Sequence, residues 1–242
     1  MDRCDPTHPT RHPRKETMMS FGLSRGREQD FDGYGLLRED LPPIADGDWD
    51  PRSLFEHRDR PFELEIGSGK GTFLVQQSEL QADTNFLGIE WAGEFFRYAA
   101  DRIRRRNLPN VRMLHDDASE VVSHRLPDGC CHVVHLYFSD PWPKTRHHKR
   151  RVMQDATMRA FHRVIAPEGE LRLVTDHDDL WAWYEDHAAR HADLFAREDF
   201  ERPESAGEGE VVGTNFERKF RREGRPFHAM TLRRRERPLG RP

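Results

Sequence analysis

An aspartate set between a serine and a proline, Ser139-Asp140-Pro141-Trp142-Pro143, closes a run of strand-forming residues, His135-Leu-Tyr-Phe138. Lys144-Thr-Arg-His-His-Lys-Arg-Arg151 follows at once. Proline fixes φ, so Pro141 and Pro143 stiffen the loop that would carry the acid. A carboxylate held at a strand end suits catalysis, and the cations beside it, Lys144, Arg146, Lys149, Arg150 and Arg151, suit the phosphates of a polyanion. The pairing reads as an enzyme that works on nucleic acid. His147 and His148 are adjacent and cannot comfortably chelate one metal, so they are assigned to RNA contact or to solvent, and no metal is expected.

A second stretch with chemical content is Gly67-Ser-Gly-Lys-Gly71, directly after Phe62-Glu-Leu-Glu-Ile66. A P-loop would need glycine at 64 and Ser or Thr after Lys70, where Leu64 and Gly71 stand, so ATP or GTP is disfavoured. A nicotinamide fingerprint would need Gly or Ala at 72, where Thr72 stands. The third reading is the GxGxG loop of Rossmann-like methyltransferases. There Gly67 and Gly69 let backbone approach the amino-acid part of S-adenosylmethionine. Glu65 can then face the ammonium group, Glu90 can accept from both ribose hydroxyls, and Asp117 can accept from the adenine amine.

These residues need a scaffold that brings strand ends together, and the pattern from Pro61 onward supplies one. Strands are expected at Phe62–Ile66, Asn85–Glu90, Asn110–Leu114, His132–Phe138 and Glu170–Thr175. Helices are expected from Thr72, over about Gly93–Asn107, Ala118–Leu126, Gln154–Ile165 and Asp178–His191. Pro127-Asp-Gly129 reads as a turn, and Pro167-Glu-Gly169 lies between the helix to Ile165 and the strand from Glu170. Leu194–Phe200 and Phe227–Arg233 are expected as two last strands, with a loop carrying Thr214–Glu217 between them. The expected fold is α/β: a Rossmann-like, doubly wound, mostly parallel seven-stranded sheet with helices on both faces. In such sheets ligands sit beyond the carboxyl ends of the strands. Glu65, Glu90, Asp117, Asp140 and Asp176 all fall there. Residues 1–60 are read as an N-terminal arm, disordered over about the first 20 residues and loosely structured after that, with Gly33-Tyr-Gly-Leu-Leu37 able to pack on the body, and residues 61–242 as the methyltransferase domain.

Composition narrows the classes. A chain of 242 residues can bury the core of one α/β domain. Net charge is −4, yet acid gathers in 198–210 while base gathers in 102–106, 144–151, 218–225 and 233–241. Patches matter more than the sum. The three cysteines, Cys4, Cys130 and Cys131, have no CxxC spacing, so neither a disulfide framework nor a zinc site is supported. No secretory signal or membrane span is evident, and a cytoplasmic location with reduced thiols is expected.

Taken in order, Glu65-Ile-Gly-Ser-Gly-Lys-Gly71, Leu87-Gly-Ile-Glu90, Ser139-Asp-Pro-Trp-Pro-Lys144 with its basic tail, Thr175-Asp176 and Thr214-Asn-Phe-Glu217 resemble the bacterial tRNA (guanine-N7-)-methyltransferase family, over about Pro61 to Arg233. The resemblance implies S-adenosylmethionine contacts at Glu65, Glu90, Asp117 and Asp140. It implies substrate contacts at Lys144, Asp176, Thr214, Asn215, Phe216 and Glu217. The implied target is N7 of the guanine at tRNA position 46. Ser139 departs from the proline usual in the family. Several roles stay open: Asp140 could orient the guanine or offset developing charge, and Trp142 could stack on a base or pack under its loop. Asp176 could read the guanine or cap a helix, and Arg102–Arg106 could touch RNA or only solvent. Monomer and homodimer are equally open. Two rivals are an enzyme methylating exocyclic amines, whose motif has two successive prolines where Trp142 intervenes here, and a non-catalytic RNA-binding subunit.

Overall fold

The computed structural model describes residues 29–236, so the expected disorder of the first 20 residues lies outside the described part. In chain order the elements are β1 (Gly35–Leu37), β2 (Phe62–Ile66), α1 (Thr72–Leu80), β3 (Asn85–Ile89), α2 (Gly93–Arg105), β4 (Val111–His115) and α3 (Ala118–His124). There follow β5 (Cys131–Tyr137), α4 (Asp155–Val164), β6 (Ile165–Thr175), α5 (Asp178–Arg190), β7 (Phe195–Glu198), α6 (Asn215–Arg222) and β8 (His228–Arg234). They build one eight-stranded sheet in the order β1-β4-β3-β2-β5-β6-β8-β7. β1 to β6 are parallel, and β8 runs antiparallel between β6 and β7. Winding reverses at β2, which has β3 on one side and β5 on the other. The loops after β2 and β5 therefore diverge and leave a crevice between them.

Period-two alternation sends Phe62, Leu64 and Ile66 to one face, where they meet Val134, Leu136 and Phe161. Phe73, Phe86, Phe96, Met113 and Tyr137 form the core on the other. α2 shows why its sequence is helical: Phe96, Ala99, Ala100 and Ile103 are buried at helical spacing, while Arg102, Arg104 and Arg105 end the last turn, where cations favour the helix dipole. The second face also carries a polar chain. His135 Nε2 donates to Glu63 at 2.8 Å, and the Tyr137 hydroxyl meets His135 Nδ1 at 2.7 Å. Burial pushes the His135 pKa down, and a neutral ring that donates to a carboxylate must accept from the tyrosine.

Three expectations change. The sheet has an eighth strand because residues 35–37 pair with 113–115. The strand expected from Glu170 begins at Ile165, and Pro167-Glu-Gly169 forms an irregularity inside β6, where the register with β5 jumps from Cys131↔Ile165 to Val133↔Glu170. Residues 214–217 are the cap and first turn of α6 rather than a loop: the Thr214 hydroxyl accepts the Glu217 N–H at 3.0 Å.

The segment before Pro61 needs correction too. Gly35 passes so close to Phe31 and Phe96 that a Cβ there would lie 2.8 and 2.9 Å from their rings. Trp49 and Phe55 are buried in the main core. The Trp49 N–H donates to the Arg125 carbonyl at 2.7 Å, and Arg125 Nη1 donates to the Pro42 carbonyl at 2.9 Å. Residues 35–60 are thus fastened to the sheet edge and to α3's end by burial and hydrogen bonds that span long sequence separations, which no local pattern announces. Trp49→Ala should lower unfolding free energy by about 3 kcal/mol in urea titration; a loss below about 1 kcal/mol would show that this segment lies outside the cooperative core.

Candidate active site

β2 stops at Gly67 because the chain there needs positive φ, with Gly67, Gly69 and Gly71 at +76°, +52° and +64°. The Gly67 and Ser68 N–H groups donate to the Ile89 carbonyl at 2.8 and 3.3 Å, folding the loop over the end of β3. Glu90 then holds the loop: its Oε2 accepts the Gly69 N–H and its Oε1 accepts the Ala92 N–H, each at 2.8 Å. Burial pushes the Glu90 pKa up, and the two N–H bonds oppose it. Arg102 braces the far side, with Nη1 donating to the Lys70 carbonyl at 3.2 Å and to Thr72 Oγ1 at 3.0 Å. Within the run 102–106, Arg102 and Arg104 are half-buried, whereas Arg105 and Arg106 stay exposed at the surface and pair with acids. Arg104 and Arg105 pair with Asp101, and Arg106 pairs with Glu79.

Glu65 is 4% exposed, and its Oε2 has no hydrogen-bond partner among the described residues. Burial, with the Glu90 charge adding to it, raises its pKa to about 8, against the Ser68 hydroxyl. A carboxyl kept this way inside a fold awaits a donor or a cation from a ligand. It lines a cavity of about 560 Å³ together with Ser68, Lys70, Asp140, Asn215 and Phe216. A larger opening of about 750 Å³, between Arg159, Arg163, Arg190 and Arg234, lies at the other rim of the sheet, away from the strand carboxyl ends. Size would select that opening; the orphaned acid selects the crevice.

Asp140 faces the same cavity from an exposed loop whose shape is held from behind. Phe138 and Trp142 sit at φ +53° and +42°, unfavourable for side chains of their size. The Phe138 ring is gripped by Phe220 and Phe227 at 5.9 and 5.8 Å. The Ser139 hydroxyl meets the buried Tyr184 hydroxyl at 2.8 Å, which gives the departure from proline a structural use. Arg151 Nε donates to the Pro141 carbonyl at 2.9 Å, its Nη2 pairs with Asp179, and its guanidinium lies 4.9 Å from the Trp183 ring centre. Arg151 is 3% exposed. This corrects its assignment to the RNA backbone: a cation so enclosed cannot meet a phosphate without leaving the loop. Lys144, Arg146, Lys149 and Arg150 are exposed beside it. Trp142 is half-buried, with Arg150 over its ring at 4.8 Å and His147 edge-on at 5.9 Å, so it packs under the basic turn.

α6 forms the opposite wall. Asn215 Nδ2 donates to Thr72 Oγ1 at 2.7 Å, and Phe216, 41% exposed, lies over Gly69. Glu217 requires a second correction. Its carboxylate is fully buried and accepts the N–H groups of Val211, Val212 and Gly213 at 2.5, 2.8 and 2.9 Å, while Arg221 donates to it at 2.7 Å. It shapes the segment leading into α6 and has no open edge for substrate. Asp176 accepts from Arg225 at 2.7 Å, and the cap of α5 is His177 instead. Asp117 caps α3, its Oδ1 taking the Ser119 and Glu120 N–H groups at 2.8 and 3.4 Å. The buried acid at that strand end is its neighbour Asp116, paired with Arg38 at 3.3 Å. Asp116 went unnoticed because two adjacent aspartates carry no sign of which one faces inward. Lys70, Thr72 and Phe95 also line the cavity without having been singled out as contacts.

Glycines after β2, acids at the following strand ends and winding that reverses at β2 define the class I S-adenosylmethionine-dependent methyltransferases. The aminoglycoside resistance methyltransferase NpmB1 shares this fold, with a TM-score of 0.55 over 77% of this chain and 95% of that one at 19% identity. Residues 59–230 match the family model described as "Putative methyltransferase". A tRNA (guanine-N(7)-)-methyltransferase of Alkalilimnicola ehrlichii is 37% identical over 229 residues, covering 93% of this chain and 92% of that protein. Proteins of the same name from Rhodopirellula baltica and Geobacillus thermodenitrificans are 32% and 33% identical, covering 92% and 76% of this chain and 88% and 82% of theirs. The chain belongs to the tRNA (guanine-N7-)-methyltransferase family, and it is an S-adenosylmethionine-dependent enzyme. Among the described residues no cluster of metal-ligating side chains is present, and no helix is long and apolar enough to cross a membrane.

Two outcomes follow from this geometry. Glu65 is protonated in the folded chain up to about pH 8 but ionises near 4.5 when unfolded. The folded state therefore holds the extra proton between those values, and stability is lost as pH rises through that window. Glu65→Gln should remove this loss, gaining on the order of 3 kcal/mol over the ligand-free wild type near pH 8; urea midpoints that keep a constant separation from pH 5 to 8 would refute it. Arg151→Ala should cost about 2 kcal/mol of stability, through loss of the buried charged hydrogen bond to the Pro141 carbonyl, whereas Lys149→Ala should leave the melting temperature unchanged and weaken tRNA binding.

Proposed function

We propose that the crevice methylates N7 of the guanine at position 46, in the variable loop of tRNA, with the cofactor bound against the glycine loop and the Glu90 carboxylate that holds it. The observation that carries this reading is the orphaned carboxylate of Glu65 in a cavity whose other acid is Asp140. A buried acid without a donor suits the ammonium group of S-adenosylmethionine, and Gly67, where a Cβ would meet nothing within 4 Å, leaves room for a ligand against the backbone. Each Glu90 oxygen spends one lone pair on an N–H and keeps another for a ribose hydroxyl. Asp117 Oδ2 is likewise left for the adenine amine once Oδ1 has capped α3.

S-adenosylmethionine supplies the methyl group, on a sulfonium. Guanine N7 presents an in-plane lone pair, so the protein removes no proton before attack, and its work is alignment. Asp140 accepts from the guanine N1–H and exocyclic amine, which turns N7 toward the methyl, and its charge offsets the cation forming on the purine. Arg151 acts at one remove, keeping the Pro141 carbonyl and hence the Asp140 loop in place. Asp176 directly follows β6, its Oδ2 held by Arg225, and meets the guanine from that strand end. Thr214 caps α6 so that Asn215 and Phe216 project into the cavity. Lys144, Arg146, Lys149 and Arg150 meet backbone phosphates, with Lys219 on α6 facing them across the crevice. A cytoplasmic enzyme acting on tRNA is the matching cellular picture.

Incubation with labelled S-adenosylmethionine and unmodified tRNA, followed by nucleoside analysis, should yield 7-methylguanosine at position 46; N2-methylguanosine or N6-methyladenosine would establish the exocyclic-amine rival instead. Asp140→Ala should reduce turnover by ~10²–10³ while tRNA still binds, and near-full turnover would remove Asp140 from the mechanism.

A further inference from the structure

Thr72 occupies the junction between the cofactor side and the RNA side of the crevice. Its buried Oγ1 accepts from Asn215 at 2.7 Å and from Arg102 at 3.0 Å, and the same Arg102 nitrogen holds the Lys70 carbonyl at 3.2 Å. Thr72 begins α1 directly after the glycine loop, and Asn215 begins α6. Beside this bond the Phe216 ring rests on the loop, where a Cβ on Gly69 would lie 3.2 Å from Phe216 Cε2. Gly69 in turn is tied to Glu90 through its N–H. The start of α6 is stiff, because Glu217 gathers the N–H groups of residues 211–213 and Thr214 caps the helix. A displacement of α6 therefore pulls on the glycine loop through the directional Asn215–Thr72 bond, with the Phe216 ring as a non-directional contact beside it, and a loop ordered by ligand holds α6 in turn.

We propose that the Asn215–Thr72 hydrogen bond makes Thr72 and Asn215 positioning residues that couple the two ligands, so that tRNA seated against α6 raises cofactor affinity and cofactor raises tRNA affinity by the same factor. The inference rests on the methyl-transfer reading above. Its physical basis is shared ordering: whichever ligand binds first fixes the loop–helix arrangement that the second also needs. Thr72 stands where a dinucleotide-binding loop would have Gly or Ala, and neither residue has a hydroxyl to accept the bond.

The test is calorimetric titration of S-adenosylhomocysteine, which cannot react, with and without saturating unmodified tRNA. The wild-type Kd should fall about fivefold when tRNA is present, the value of one net hydrogen bond. Thr72→Val, which keeps the shape and removes the acceptor, and Asn215→Ala, which changes an exposed side chain, should each bring the ratio close to one. Thr72→Ser should retain it. The ratio compares each variant with itself, so a general loss of affinity or stability does not move it. A wild-type ratio of one, or a Thr72→Val ratio equal to the wild type's, overturns the coupling. Failure of the wild-type protein to bind S-adenosylhomocysteine under either condition would instead overturn the methyl-transfer reading.

Discussion

One carboxylate holds the crevice together. Glu90 ends β3, yet its two oxygens take N–H groups from both sides of the strand end, Gly69 in the loop after β2 and Ala92 at the start of α2. Without that contact the loop 67–71 would keep its positive-φ turns and the Gly67 and Ser68 bonds to Ile89, but Gly69 would lose the anchor that fixes its position. Arg102, Thr72 and Asn215 all build on that position. Close approach is possible because Gly88 carries no side chain: a Cβ there would lie 2.4 Å from Leu74 and 2.5 Å from Ser68. The arrangement gathers Glu65, Glu90 and Asp140 near one another, with the first two buried. The Glu65 pKa rises to about 8, and Asp140 helps to raise that of Glu90. Strain of this kind is expected where a ligand, and not the fold, supplies the missing partner.

The second half of the site depends on a different device. The loop after β5 contains two large residues at positive φ, and it persists because Arg151 returns to hold the Pro141 carbonyl while Phe220 and Phe227 enclose Phe138. The basic run is thereby divided by burial. Its last arginine is a structural strut, and the earlier cations face solvent. The same sorting applies to α2, whose arginines are absorbed by Asp101, Glu79 and the glycine loop. A chain of net charge −4 can thus present a basic surface to tRNA, since Arg104, Arg105 and Arg106 are paired with acids while Lys144, Arg146, Lys149 and Arg150 beside the crevice stay exposed.

The strand ends, the glycine loop, the acids Glu65, Glu90 and Asp140, and the family itself were legible in the order of residues. Each depends on local rules: alternation in the strands, positive φ at glycine, proline around Asp140. β1 and the burial of Trp49 were not legible, because a three-residue strand gains its hydrogen bonds from β4, far along the chain. The early start of β6 was hidden for a like reason, since Pro167 and Gly169 look like a break and only pairing with β5 shows the strand already running before them.

The amino-acid sequence by itself determined which chemistry was available: a cofactor loop that refuses phosphates, acids at strand ends, and cations enough for RNA. Only the tertiary structure decided which charges remain free to use it. Glu217 and Arg151 look like site residues until burial shows that backbone groups have claimed them. Asp116 and Asp117 are alike until one turns inward. Thr72 gains importance only when α6, more than a hundred residues later, lays Asn215 against it. Charge and hydrogen-bonding capacity belong to the residue type, whereas the dielectric around it and the partner it meets are properties of the packed chain.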